Sequence, residues 1–161
     1  MTETIKEKYY EMGQQEEVDL DYYFEYFASK YDTATTMGKI WVLEAVTSLL
    51  REINKNIGQI WSEDRVMDEK YDNTNSQKIA DYLDKFDNIT TWIYEKLCHT
   101  TERAILRTVV IFLITYRGTF FEGYPNLNKR MDDFHSQLSS TNTNYLTEYL
   151  EIRETIKLYK K

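Results

Sequence analysis

The most hydrophobic stretch of the chain lies between Thr101 and Tyr116. Its six consecutive apolar residues, 109–114, would point in every direction around a helix, because six helical steps exceed one full turn. Arginines precede the run, and Gly118 follows it where a helix would end. The pattern therefore predicts a central helix over about 101–117 that other helices surround.

Two other structures could bury the same run, and both fit the chain less well. A transmembrane span needs roughly 20 apolar residues, and this run is shorter and flanked by arginines. A buried strand would suit the β-branched side chains of Val109, Val110 and Ile111, but no second strand-like run is present to pair with it. We therefore predict an all-α protein without a membrane span.

Apolar residues at helical spacing predict the remaining elements. A capping box of Thr4 and Glu7 indicates a short first helix that ends near Gly13. The polar run SSTNTN reads as a loop before the last helix. A break or kink is expected near Cys98 to Thr101, so that 77–117 forms either one kinked helix or two. With only five glycines and one proline, the chain reads as one domain, 1–161, of about six helices. Besides the central helix, the predicted helices are 5–12, 20–31, 36–61, one from about 77, one from Pro125, and 145–159.

Met37, Ile40 and Trp41 point away from the main apolar stripe of the long helix 36–61. Either a neighbouring helix covers them, or they leave an apolar patch in solvent, and such a patch would mark a docking site. We expect the aromatic helix 20–31 to cover them.

Charge and cysteine content narrow the possible functions. The formal net charge is −7, which argues against sequence-independent binding to nucleic acid, because that binding requires clustered Lys and Arg. The single cysteine, Cys98, has no partner within the chain, and no apolar leader begins the sequence. Both features favour a cytoplasmic protein.

The best candidates for a metal site are Glu95, His99 and Glu102, which would share one helix face at spacings of four and three residues. His135, beside Asp132 on another helix, could complete the site, since imidazole and carboxylate groups suit transition metals. The same residues would more simply form a solvated helix face. No Glu-x-x-His pair or other catalytic motif occurs. We therefore expect no enzyme, no cofactor and no metal.

The N-terminal quarter carries more aromatic side chains than one amphipathic face can hide. If the neighbouring helices leave some exposed, an aromatic patch with an acidic rim would suit a partner protein with a basic surface. The residues of this predicted patch are Tyr22, Tyr26 and Trp41, with Asp19, Asp21 and Glu25 as the rim.

The sequence thus favours a non-enzymatic interaction protein: a small acidic inhibitor, an immunity protein, or a viral or plasmid accessory factor. A helical protein that binds a metal or small ligand is the alternative. Tyr145, Tyr149, Ile152, Ile156 and Tyr159 repeat at alternating steps of four and three, so residues 145–159 could also form a homo-oligomer.

The layout of one apolar helix wrapped by amphipathic ones resembles that of Bcl-2-like proteins, including their viral members. That resemblance implies a viral regulator as a further alternative. The Asn-Trp-Gly-Arg motif of the family is absent, and Tyr116-Arg117-Gly118 does not replace it. The resemblance is therefore one of architecture alone.

Overall fold

The computed structural model describes the backbone of residues 2–66, 73–116 and 125–159, and the side chains of 3–60, 77–116 and 127–159. Within these ranges all regular structure is helical, and the helices share one apolar core. The all-α prediction is confirmed. The helices are α1 (Thr2–Gly13), α2 (Leu20–Tyr31), α3 (Thr36–Val66), α4 (Asn73–Leu97), α5 (Arg103–Tyr116), α6 (Pro125–Thr141) and α7 (Thr143–Tyr159).

The apolar run forms α5, as predicted, and α5 packs between α3 and α7. Val109, Val110 and Leu113 are fully buried. Ile111, however, leaves 51% of its surface exposed. The run is therefore covered on most sides but not all of them, because one side of α5 faces solvent.

The long helix α3 has more neighbours than α5, since α1, α2, α4 and α5 all pack against it. Its predicted stripe accounts for this arrangement. Six members of the stripe have no exposed surface: Val42, Val46, Leu49, Leu50, Ile53 and Ile57. The stripe places α3 at the centre of the bundle.

Several helix ends differ from the sequence-based expectations. Helix α1 already begins at Thr2, so Thr4 lies inside the helix and the prediction that it caps the helix is wrong. The cap of α2 is Asp19, whose Oδ1 accepts a hydrogen bond from the Tyr22 N–H at 3.2 Å. The predicted break near Cys98 is confirmed, since α4 ends at Leu97 and α5 begins at Arg103. Gly118 and residues 67–72 lie outside the described residues.

The expected loop before the last helix is reduced to one residue, Asn142, because α6 continues through the serines and threonines to Thr141. Asn142 is 5% exposed. Its Oδ1 accepts from the Tyr145 N–H at 3.2 Å and so caps α7. Its Nδ2 donates to the carbonyl oxygens of Leu97 and Thr100, at 2.7 and 2.9 Å. One amide therefore joins the start of α7 to the turn between α4 and α5.

Ion pairs fasten α7 to α5 further along. The two oxygens of Glu148 each lie 2.8 Å from an arginine Nε, one of Arg103 and one of Arg107. Glu151 accepts from both arginines, at 2.8 and 3.3 Å. Burial acts to raise the pKa of the Glu148 carboxyl, but the hydrogen bonds from Arg107 and Arg103 outweigh it, and the pKa lies below its ordinary value.

Among the described residues, none of the helices combines the length and the apolar character that crossing a bilayer requires.

We expect Asn142→Asp to lower the free energy of unfolding by about 2–3 kcal/mol, because a carboxylate still caps α7 but cannot donate to the two buried carbonyls. Asn144→Asp, at an exposed neighbouring position, serves as the control and should change stability by less than about 0.5 kcal/mol. Urea unfolding followed by circular dichroism measures both variants. Equal stabilities of the two variants would refute the role of the Asn142 amide.

Glu148→Gln should destabilise the protein by about 1–2 kcal/mol near neutral pH, because two charge-assisted hydrogen bonds weaken. Since the folded-state pKa is lowered, this stabilisation is present above the ordinary value of 4.5 and is lost as the pH falls through the lower folded-state value. The stability difference between the natural protein and Glu148→Gln should therefore shrink between about pH 5 and about pH 3.

The matched control for Glu148→Gln is Glu154→Gln, because Glu154 is 65% exposed and pairs with Lys157 across one helical turn. Unfolding curves at both pH values should show little effect of this exposed substitution. A stability difference for Glu148→Gln that stays constant with pH would contradict the assignment.

Candidate functional site

The close approach of α1 to α3 creates the most distinctive surface of the protein. The buried Ile5 side chain of α1 reaches Gly38 of α3, where an added Cβ atom would lie 3.5 Å from Ile5 Cδ1, an ordinary van der Waals distance. Further along, the ring centroids of Tyr9 and Trp41 are 5.5 Å apart. The two helices therefore run side by side in the same direction.

Matching stripes follow the outer sides of both helices. On α1, Glu3, Glu7 and Tyr10 are exposed at steps of four and three residues, so they share one side of the helix. On α3 the corresponding side carries Met37, Trp41 and Glu44. Contact between the Tyr10 and Trp41 rings, 6.0 Å apart, brings the stripes together. We call this surface the α1–α3 face: Glu3, Glu7, Tyr10, Met37, Trp41 and Glu44.

The centre of the α1–α3 face is apolar and accessible. Met37 is 56% exposed and Tyr10 is 51% exposed. Trp41 is half-buried between them, against Tyr9 and Tyr10. The expectation that helix 20–31 covers Met37, Ile40 and Trp41 is wrong for Trp41, which packs against α1, and for Met37, which lies in solvent. Ile40 is half-buried against the core, so of the three residues Met37 gives the exposed apolar surface.

The charges on the α1–α3 face are mainly negative. Glu3 and Glu7 are exposed beside Tyr10, and Glu44 follows Trp41 on α3. Burial raises the pKa of the Glu44 carboxyl, although part of the side chain reaches solvent. The Lys6 ammonium lies 5.6 Å from the Trp41 ring centroid and 5.9 Å from that of Tyr10. The face thus carries three carboxyl groups and one lysine.

The structure separates Trp41 from the other two aromatic residues of the predicted patch. Lys8 lies over the rings of Tyr22 and Tyr26, at 5.5 and 5.0 Å from their centroids, whereas Lys6 lies over Trp41. Lys6 and Lys8 are two residues apart on α1, which turns their side chains about 200° apart. Tyr22 and Tyr26 therefore border one flank of α1, and Trp41 borders the other.

Two of the three residues of the predicted acidic rim bind other groups of the chain. Asp19 caps α2, and Asp21 forms an ion pair with Lys85 of α4 at 2.7 Å. Glu25 is exposed on α2. Lys30 adds a second cation over the Tyr26 ring, at 5.4 Å from its centroid. Intramolecular lysines thus offset much of the negative charge around Tyr22 and Tyr26.

Spacing in the sequence did not assign Tyr10, Glu3 or Glu7 to a site, and it placed Met37 only in a possible apolar patch with Ile40 and Trp41. A signal was nevertheless present, because Glu3, Glu7 and Tyr10 repeat at the same steps as Met37, Trp41 and Glu44. Spacing within one helix does not report the pairing of α1 with α3, in which Ile5 is buried and Tyr9 packs against Trp41.

The metal candidates do not share a helix face as predicted. Because α4 ends at Leu97, His99 lies in the following turn, and Glu102 precedes α5 and accepts from Thr36 Oγ1 at 2.9 Å. Glu95 is on an exposed side of α4. His135 packs on Tyr149, with ring centroids 4.1 Å apart. In the parts of the chain that the structure describes, no three His, Cys, Asp or Glu side chains are grouped to hold a metal ion.

The seam predicted for self-association is partly used inside the chain. Tyr145 and Tyr149 are buried, and the Tyr145 hydroxyl lies 2.9 Å from His135 Nδ1. Towards the end of α7, Leu158 and Tyr159 are 73% and 87% exposed. The first half of the seam therefore serves the core, and only its last turns face solvent.

The chain matches no protein-family model, no curated protein and no solved structure. The resemblance to Bcl-2-like proteins therefore gains no support. The geometry of the α1–α3 face is the feature from which a function can be inferred.

Proposed function

We propose that this protein is a non-enzymatic interaction protein that binds a partner protein through the α1–α3 face. The observation that carries the proposal is the exposed apolar centre of this face, where Met37 and Tyr10 flank the half-buried Trp41. Tryptophan and tyrosine are enriched among the residues that dominate binding energy at protein interfaces. Such side chains at the surface of a helix pair suit a helical or extended segment of a partner.

The charge of the face suggests the chemistry of the partner. Glu3, Glu7 and Glu44 outnumber Lys6, and the whole chain carries a net charge of −7. A partner segment with an apolar side and a basic border would meet both features, and opposite charges would speed its association. The same net charge argues against nucleic acid as the partner.

Inhibitor, immunity and accessory proteins, including those encoded by viruses or plasmids, act in this way, by covering a surface rather than by turning over a substrate. We include this chain in that broad class. The single cysteine fits a reducing compartment, and we propose the cytoplasm as the site of action.

Substitutions on the α1–α3 face, compared with one on the opposite flank of α1, test the proposal. Met37→Ser and Tyr10→Ser should each weaken binding of a partner captured from the cells of origin by at least about tenfold, because each removes apolar area from the centre of the contact. Tyr22→Ser is the matched control, since Tyr22 is a 47% exposed tyrosine on the other flank. The captured partner is purified, and its dissociation constant is measured by calorimetry.

Circular dichroism of each variant establishes that the helices are retained. Full binding by Met37→Ser and Tyr10→Ser would refute the proposed face. Loss of binding by Tyr22→Ser alone would instead favour the patch around Tyr22 and Tyr26. Charge reversal at Glu3 and Glu7 to lysine should slow association and reduce its dependence on salt.

A further inference from the structure

Three aromatic rings at the heart of the α1–α3 face form a small cluster. The ring centroids of Tyr9, Tyr10 and Trp41 lie 5.5 to 6.0 Å apart in every pair, and their planes are inclined by 55° to 62°. The three rings therefore pack against one another, with T-shaped contacts of Tyr10 to both Tyr9 and Trp41. We call these three residues the aromatic cluster.

A cation already lies at this cluster. The ammonium of Lys6 is within 6 Å of the ring centroids of both Trp41 and Tyr10, which is the range of cation–π attraction. Within the described residues, no carboxylate or hydrogen-bond acceptor binds this ammonium. Among the contacts of the described side chains, attraction to the rings is what holds the ammonium at this partly exposed site, and that attraction is weak.

The lysine on the other flank of α1 is held differently. Lys8 donates to the Tyr22 hydroxyl at 3.2 Å and forms an ion pair with Glu11 at 3.3 Å. Glu11 in turn accepts from the Tyr23 hydroxyl at 2.9 Å. Lys8 is therefore fixed by polar contacts, whereas Lys6 can leave its rings at little cost. Of the two lysines, Lys6 is the one that another cation could replace.

There is room beside the aromatic cluster for a ligand. Tyr9 and Tyr10 also line a cavity of about 460 Å³, together with Met12, Gly13 and Arg51. Arg51 lies ten residues beyond Trp41 on α3, about 15 Å along the helix axis. Its guanidinium stacks on Tyr116, 4.7 Å from the ring centroid. The guanidinium is thus engaged with Tyr116, and neither Trp41 nor Lys6 lines the cavity.

We propose that the aromatic cluster is a binding site for an alkylated ammonium group, and that Lys6 occupies it until such a group displaces the lysine. Alkylation suits the site because an unmodified ammonium needs hydrogen-bond acceptors, whereas a methylated one is satisfied by ring faces. The source of the alkylated ammonium group, a methylated lysine of the partner protein, rests on the proposed function.

Choline is the first probe, with 3,3-dimethylbutan-1-ol as its uncharged counterpart of the same shape. Choline should bind, seen by proton NMR as an upfield shift of its N-methyl signal, and the alcohol should not. Lys6→Ala should tighten choline binding by about two- to fivefold, because the competing cation is gone. Tyr10→Leu should weaken it by a similar factor.

Lys8→Ala and Tyr22→Leu are the matched controls on the other flank, and both should leave choline binding unchanged. Equal binding of the alcohol and choline would overturn the proposal, since it would show a merely apolar site. An unchanged affinity in Lys6→Ala, or a loss in Tyr22→Leu equal to that in Tyr10→Leu, would overturn the assignment of the site.

Short peptides with a central lysine, either unmodified or trimethylated, identify the source of the cation. Preference for the trimethylated peptide supports a modified partner protein. Binding of choline without either peptide would overturn that source. If choline fails to bind while the partner still requires Met37, the aromatic cluster proposal falls and the proposed function stands. If choline binds while the partner does not require Met37, the cation site stands without a protein partner.

Discussion

Burial of α3 is the constraint on which the rest of the structure depends. Its stripe from Val42 to Ile57 has no contact with solvent, and each such side chain contributes about 1.5–3 kcal/mol when it is fully buried. Four helices pack around α3 to achieve this. A helix surrounded on several sides leaves little of its own surface free. What remains free at its N-terminal end, next to α1, is the α1–α3 face.

Polar contacts then define how the remaining helices meet this core. The Asn142 amide joins the start of α7 to the turn after α4, and the arginines of α5 hold Glu148. Each contributes less free energy than a buried leucine, but a polar contact is directional. Apolar burial therefore supplies most of the stability, and these contacts fix where α7 begins and how it lies along α5.

Much of the fold could be predicted from the sequence, because periodicity within one helix is a local property. The stripes of α2, α3 and α6 and the break after Leu97 all follow from spacing. Caps were less predictable: Thr4 matches a capping box, yet it lies inside α1, and the serines before Asn142 continue α6. Propensity favours a cap at such residues, but packing of the neighbouring turns decides where a helix ends.

The site depends on pairing between helices, which spacing does not report. Trp41 was expected to pack against α2, yet its neighbours are Tyr9 and Tyr10 of α1. That difference separates Trp41 from Tyr22 and Tyr26 and exposes Met37. The Glu95, His99 and Glu102 group fails for a local reason, since the helix that would have aligned these residues ends at Leu97, next to the predicted break. For Trp41 the local pattern was correct and its tertiary context was missing.

Photocrosslinking in the cells of origin can show whether the protein acts through the α1–α3 face, with a benzophenone amino acid placed at position 37 in one variant and at position 22 in another. Light should join the first variant to one discrete partner protein and leave the second unmodified. A crosslink from position 22 alone, or no adduct from position 37, would show that this face is not the binding surface.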